Sequence, residues 1–517
     1  MTKSVVIVGG GSAGWITAGL LASQWGAHAG GEVMVTLIES PDVQTIGVGE
    51  GTWPTMRGTL ARIGISESEF LSSCSAAFKQ GTRFVDWVDG GEQDHYYHPF
   101  SPPTGYPRFD LTPYWQQHRG EVSFVDAVTP QGVACDRLLA PKEAGAPEFA
   151  ALLNYGYHLD AGKFADLLKQ HCIEKLGVRH VQDHVTDIEG ERSEDIRAVL
   201  TREAGRIEGD LFVDCTGLAS ILLGKHYEIP FQDHSDVLFN NSALAVQVPY
   251  AAPDAPVACQ TLSTARNAGW IWDIGLPSRR GVGYVYASDY CTDDEAAATL
   301  RQYLRDTNAP DDAAIEPRKI GFTSGHREQF WHRNCVAVGM SAGFLEPLEA
   351  SALVLIELSA GMIADRLPAT REAMDITAQR FNRTFRYRWD RIIEFLKLHY
   401  VLSRRDDSDY WRAHRDAATI PERLRELLAL WRHQFPRHDD FDHVDEVFSA
   451  ASYQYVLYGM GFETRSPHPL ETGRDEARRR FQENADATRQ LLNRLPDHRS
   501  LLDHYNVPAP VQRAVGS

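Results

Sequence analysis

The chain is poor in cysteine, and what it has lacks the pairing that cysteine chemistry needs. Its seven cysteines, among them Cys74, Cys135, Cys215 and Cys335, are scattered, odd in number and without a C-x-x-C pair. That excludes a zinc ribbon or dithiol motif and reads as a reduced, cytoplasmic chain. Long uncharged apolar runs are also missing. The most apolar stretch, 341–364, carries Glu346, Glu349 and Glu357, which suits a buried segment and not a membrane span. The N-terminal apolar run breaks into GGGSAG where a secretory signal would continue. Positive charge is scarce: 52 Lys and Arg against 70 Asp and Glu leave −18, which disfavours a nucleic-acid partner. Internal repeats and low-complexity tracts are absent.

What remains is ordinary globular composition, 43% hydrophobic and 24% charged over 517 residues, with room for about three domains or fewer large ones. Val5 to Val8 is a β-branched run, Gly9-Gly10-Gly11-Ser12-Ala13-Gly14 a turn, and Trp15 to Gln24 a helix; a second strand, Val33 to Ile38, ends at Glu39. This is a βαβ opening. In Gly9-x-Gly11-x-x-Gly14, glycines allow the tight turn, the close approach of a pyrophosphate and the packing of helix on strand. The helix N-terminus, with Ser12 and Ala13, faces the phosphates, and Glu39 is placed for the adenosine ribose. Two later strands, 210–213 and 334–338, run into Asp214-Cys215-Thr216-Gly217 and Gly339-Met340-Ser341. Three glycine turns spread this far apart favour one discontinuous FAD module over a compact nicotinamide domain. From about Ala373 apolar and charged residues recur at helical spacing, as in 391–398 and 422–431, and 474–494 reads as a solvated helix face. The expected division is 1–370, a discontinuous FAD-binding and catalytic module with insertions, and 371–517, a mainly helical part completing the substrate pocket.

The chain resembles the flavin-dependent tryptophan halogenases over most of its length. Six features carry the likeness in the family's order: GGGSAGW at 9–15, GVGEGTWP at 47–54, Lys79 in AAFKQG, WIWDI at 270–274, FLEPLEAS at 344–351 and LHYVLSRRDDSDYWR at 398–412. The resemblance implies an α/β fold: a Rossmann-like FAD-binding module of the flavin monooxygenase type with a largely helical C-terminal part. It implies an oxidoreductase that uses reduced FAD, O2 and chloride or bromide to form hypohalous acid, which halogenates an electron-rich aromatic, usually an indole. A separate NADH-dependent flavin reductase would supply the reduced FAD. A homodimer, common among similar proteins, is left open.

Residue by residue, the resemblance makes Lys79 the group that captures or polarises hypohalous acid and Glu349, just after Pro-Leu, the catalytic carboxylate, with Glu346 in a structural or flavin-side role. Ser351 and Ala352 fall on the halide positions, Ala352 adding a methyl group where the family has glycine. Trp270 and Trp272 alternate along a strand, so both indoles share one face; in the family the pair keeps substrate away from the flavin. The family's WxWxIP reads WIWDIG here, with Gly275 in the proline place. His98 and Phe100 match substrate-pocket residues; His95 and His98 lack the third ligand a metal site needs. Gly9, Gly11, Ser12, Ala13, Gly14, Glu39, Gly49, Asp214, Gly217 and Gly339 are the expected cofactor contacts. The 452–461 stretch does not reproduce the clamp for free tryptophan's amino and carboxylate groups, so the expected substrate is a related indole or another electron-rich aromatic, with Tyr453 and Tyr455 lining its pocket or serving as helix core. The rival readings are a flavin-dependent aromatic monooxygenase, which needs neither Lys79 nor the tryptophan pair, and a flavin-binding protein without turnover.

Overall fold

The computed structural model describes residues 2–26, 29–43, 49–310, 316–443, 445–465 and 473–506. Gly47 and Val48 of the 47–54 motif lie outside the described residues.

The strand Ser4–Val8 is apolar on both faces, as a central parallel strand must be. It lies between Leu211–Asp214 and Met34–Glu39 in a six-stranded sheet whose order continues to Cys335–Ala337 and Trp331–His332 on one side and Arg179–Gln182 on the other. All pairings but the last hairpin are parallel. The helices Ser12–Trp25, Ala161–Glu174 and Ser351–Asp365 pack together beside it. The sequence reading of a βαβ opening and of two later strands feeding the same sheet therefore holds, with strand limits shifted by a residue or two.

A second sheet has seven strands in the order Arg318–Gly321, Ser242–Pro249, Arg279–Tyr286, Gly269–Gly275, Thr261–Arg266, Gly81–Val85 and His95–Pro99. It is antiparallel except between 261–266 and 81–85. Its Gly269–Gly275 strand carries both tryptophans and is buried along its whole length. A small sheet sets Ala77–Lys79 and Glu50–Gly51 on either side of Gly156–Leu159, which brings Lys79 beside the 47–54 motif. The 32-residue helix Arg371–Leu402, capped by the Thr370 side chain, then crosses the molecule, and its 391–400 stretch is buried on every side. Helices Glu422–Trp431, Ala450–Gly459, Arg474–Arg494 and His498–Asn506 follow. Helix Arg474–Arg494 buries only Ala477 and Asn484 and ladders Glu476, Arg479, Arg480 and Glu483 along its exposed side.

Near this junction a charge pair is sealed in the core. Lys142 and Glu67 are both fully buried, 2.6 Å apart, and Glu67 also accepts from the Tyr157 hydroxyl at 2.7 Å, the Phe149 N–H at 2.9 Å and the Tyr155 hydroxyl. Lys142 donates besides to Pro147 O at 2.9 Å. Every contact of the carboxylate is satisfied, so removing one partner strands the other. Lys142→Met is expected to lower stability by about 3–5 kcal/mol, read as a fall in denaturant midpoint; a loss below about 1 kcal/mol would mean that water reaches Glu67.

Candidate functional site

Three adjacent parallel strands deliver three glycine turns to one edge of the first sheet: Gly9 after 4–8, Gly217 after 211–214 and Gly339 after 335–337. Gly9 has φ +115°, and a Cβ there would stand 2.1 Å from Cys215 O; one on Gly14 would stand 1.9 Å from Gly9 O. Gly11 is different: nothing lies within 4 Å of its missing Cβ. It caps the Ser12–Trp25 helix without a side-chain hydrogen bond and with no acidic residue in the first turn. Free N–H groups, a positive helix end and open space above a bare backbone are what a pyrophosphate requires, so Gly9, Gly11, Ser12, Ala13 and Gly14 fit FAD. Gly339 abuts this cradle, its missing Cβ only 2.8 Å from that of Ala13. Glu39 lies over Gly10, where its carboxylate receives Lys169 Nζ at 2.7 Å and His180 Nε2 at 2.8 Å. Asp214 does not present a free carboxylate. Its oxygens accept from Thr216 N and Oγ1 and from Leu222 and Leu223 N, so it shapes the turn in which Gly217 sits. From Gly339 a small cleft runs past Phe344 and Leu345 to Ser351 and Ala352 at the start of the next helix. Ser351 is buried and Ala352 exposed, so the methyl that replaces glycine's hydrogen points into free space.

Lys79 and Glu349 are both buried, close enough for the carboxylate's charge to act on the ammonium. Lys79 is 1% exposed and Glu349 5%. Gly51 makes room for the ammonium: a Cβ there would stand 3.1 Å from Lys79 Nζ and 3.3 Å from Ala350 Cβ. Phe100 flanks it, ring centroid 5.4 Å away. Among the described residues Nζ donates no hydrogen bond, and burial, opposed by the Glu349 charge, lowers its pKa to about 8. Glu349 shows the reverse balance. Burial pushes its carboxyl up, but His98 and His399 outweigh burial and hold it at about 2. His98 Nδ1 lies 2.9 Å from Oε1, and His399 Nε2 3.1 Å from the same oxygen. The Tyr96 hydroxyl and His399 Nδ1 share a hydrogen bond at 2.6 Å, which fixes the ring, and His399 Nε2 faces Glu349 at ion-pair distance without hydrogen-bond geometry. Both imidazoles thus converge on Oε1; Oε2 has no hydrogen-bond partner among the described residues. The Trp53 indole N–H donates to the Glu349 carbonyl at 2.8 Å and ties the 47–54 motif to the same turn.

Trp270 and Trp272 do share a face, their rings edge to face at 6.4 Å. Gly283, opposite Trp272 in the next strand, is obligatory: a Cβ would stand 2.1 Å from the indole. Gly275 has an equally local reason. Its missing Cβ would come within 2.9 Å of Val257 Cγ1 and 3.0 Å of Ala258 N, so the neighbouring chain fills the place of the family's proline ring. His98 looks into an aromatic cluster of Phe395, Phe448 and Tyr455, at 5.5, 6.2 and 6.4 Å. Tyr455 and Tyr453, two apart on a helix, leave by different faces. Tyr455 donates to Ser101 O at 2.9 Å beside His98, while Tyr453 packs behind Phe395 against Trp431 and Phe441, a core position.

Sequence reasoning missed His399, Tyr96, Trp53 and Gly283 as contributors. The signal for His399 was present in the 398–412 motif, but a histidine inside a helical pattern does not announce which residue it faces. Among the described residues no helix is long and apolar enough to cross a membrane, and no group of three His, Cys, Asp or Glu is placed to hold a metal.

A family model described as tryptophan halogenase matches residues 4–476. Tryptophan 6-halogenase SttH of Streptomyces toxytricini is 35% identical over 95% of this chain and 96% of its own. A crystal structure of a tryptophan halogenase from Shewanella frigidimarina NCIMB 400 superposes with a TM-score of 0.94 at 48% identity, covering 98% of each chain. Tar14, a tryptophan C-6 flavin-dependent halogenase (chlorinase) from taromycin biosynthesis, does so with 0.90 at 33% identity, over 98% of this chain and 100% of that one.

The Lys79 environment predicts a titration that needs no turnover. With 13C-labelled lysine, the Lys79 Cε resonance should titrate with a midpoint of about 8, and Glu349→Gln should move that midpoint lower, because the carboxylate is what holds it up. A midpoint near the ordinary 10.5 would mean that the side chain is solvated.

Proposed function

The chain belongs to the tryptophan halogenase family and is a flavin-dependent halogenase, and on that premise we propose that it halogenates an indole or related electron-rich aromatic with Lys79 and Glu349 as its catalytic pair. Bound reduced FAD, with dioxygen and halide, supplies the hypohalous acid. The cradle at Gly9 to Gly14 and the turns at Gly217 and Gly339 hold the cofactor, and Ser351 and Ala352 take the halide, chloride or bromide. A separate NADH-dependent flavin reductase provides the reduced flavin, and the reaction belongs to the cytoplasm.

The observation that carries the reading is the division of labour on Glu349: Oε1 is held by two imidazoles and Oε2 is left free, in a buried place where Lys79 is the opposing charge. Lys79 donates a hydrogen bond to the oxygen of hypohalous acid and draws electron density from the halogen. The ring carbon takes the halogen as the O–X bond breaks and Lys79 gives a proton to the departing hydroxide, forming water; the C–H proton passes to Glu349 Oε2 as aromaticity returns and from there restores the Lys79 ammonium. The balance is HOX plus arene giving haloarene plus water. His98 and Phe100 border the ring, with Tyr455 behind His98. Trp270 and Trp272 stand as a partition between the flavin and the aromatic pocket, and the partition is what separates this reading from an aromatic hydroxylase.

The test supplies FAD, a flavin reductase with NADH, oxygen, and bromide or chloride, and reads indole and tryptophan products by mass spectrometry. Halide-dependent product with the halogen's isotope pattern is expected; hydroxylated product regardless of halide would overturn the reading. Lys79→Met should abolish halogenation, and Glu349→Gln should slow it by about 10²–10⁴-fold, with FAD binding intact in both. Glu349, at about 2, stays ionised throughout the working range, whereas Lys79, at about 8, loses its proton above it. The rate should therefore be level between about pH 5 and 7 and fall above pH 8 with one basic limb, which Lys79→Arg shifts upward.

A further inference from the structure

The 398–412 motif does more than bring His399 to Glu349. Tyr400, the next residue on the same helix, turns its hydroxyl to the other glutamate. Glu346 is fully buried, and three donors converge on its Oε2: Asn240 Nδ2 at 2.7 Å, Trp270 Nε1 at 2.8 Å and the Tyr400 hydroxyl at 2.8 Å. Asn240 is itself oriented, because the Tyr410 hydroxyl donates to its Oδ1 at 3.1 Å. Oε1 is buried and has no hydrogen-bond partner among the described residues.

We propose that Glu346 is a positioning residue for the Trp270 indole: by accepting the indole N–H it fixes the plane of the ring and so keeps the tryptophan pair closed as a partition. This rests on the reading of the pair as a partition given above. Trp272 needs no such latch, since Gly283 leaves it one slot. Trp270 is fully buried, and a buried indole that loses its acceptor is left with an unsatisfied N–H, so the native plane of the ring no longer carries the advantage of that hydrogen bond. Its ring meets Trp272 edge to face, so a turned Trp270 also removes the support of Trp272. Tyr400 and Asn240 serve the latch by holding Oε2 still. Burial pushes the Glu346 carboxyl up, against these donors and the charge of Lys397. A glutamine in its place still offers one side-chain oxygen to Trp270.

The test compares Glu346→Gln, Glu346→Leu, Trp270→Phe and the Glu346→Leu/Trp270→Phe double variant. In flavin-free protein labelled with 15N-tryptophan, the Trp270 indole N–H, assigned by its loss in Trp270→Phe, should exchange with solvent about tenfold faster in Glu346→Leu, as expected on loss of an ordinary hydrogen bond. It should stay near wild type in Glu346→Gln. In the complete reaction, Glu346→Leu and Trp270→Phe should each raise the hydroxylated share of product severalfold, and the double variant should do no more than either alone. Unchanged exchange in Glu346→Leu, or additive effects in the double variant, overturns the latch. If Trp270→Phe leaves product partition unchanged, the partition reading fails while indole exchange still decides whether Glu346 holds the ring. Should Glu346→Leu not fold, Tyr400→Phe removes one donor from Oε2 and must move exchange in the same direction, or the latch fails.

Discussion

A carboxylate must stay ionised where little water reaches it, and the rest of this site follows from how that is achieved. Burying a charge alone would neutralise it. At Glu349 two imidazoles on one oxygen reverse the penalty. They come from opposite ends of the chain: His98 from an edge strand of the second sheet, His399 from the helix that crosses behind it. Trp53 holds the Glu349 carbonyl from a third element. No local motif could assemble this. The long helix, the edge strand and the 47–54 segment have to converge, and the buried stretch 391–400 is where they do.

The short segment 343–352 separates two chemistries. Its first residues line the cleft beside the glycine turns, and its last two line the same cleft from the start of the next helix. Between them, Glu346 and Glu349 are three residues apart yet held in opposite conditions, the first pushed up by burial and the second pulled down by its histidines. Environments that drive neighbouring carboxyls apart are how one backbone hosts two roles. The bend that allows it is Ala350, which has φ +53° without being glycine and sits directly before the helix Ser351–Asp365. That strained turn aims Glu349 inward while the helix start remains on the flavin side.

Much of this was legible in the sequence because it is local. A β-branched run, glycines at fixed spacing and an acid at a strand end specify a βαβ unit through backbone geometry alone; the helix at 422–431 follows from apolar periodicity and that at 474–494 from its mixed charges as a solvated face. The alternation of Trp270 and Trp272 placed both rings on one face for the same reason. What could not be read is long-range. Asp214, expected toward the cofactor, hydrogen-bonds Leu222 and Leu223 instead. Tyr453 and Tyr455, read as pocket lining or helix core, divide between the two, Tyr455 beside His98 and Tyr453 in the core. Gly275 read as a lost proline, and Gly283 went unnoticed, until the 257–258 segment and the Trp272 ring were seen to fill their space. Clearance between strands distant in sequence leaves no periodic trace.

The overall charge of −18 sharpens the argument for two separate compartments. A halide ion near Glu349 would meet an ionised carboxylate, against which the site sets two imidazoles and the buried Lys79. At the start of helix Ser351–Asp365 it meets free backbone N–H groups, the Ser351 hydroxyl and the positive end of the helix, with no acidic residue in the first turn. The anion is therefore best held on the flavin side. Hypohalous acid is neutral and pays no such penalty on reaching Lys79. An oxidant made where the anion is stable and used where the carboxylate is stable satisfies both electrostatic demands, which one shared pocket could not. On the proposed reading of the tryptophan pair as a partition, it has to stop the aromatic while letting a small neutral molecule by, and that asks for rings that stand close but do not move.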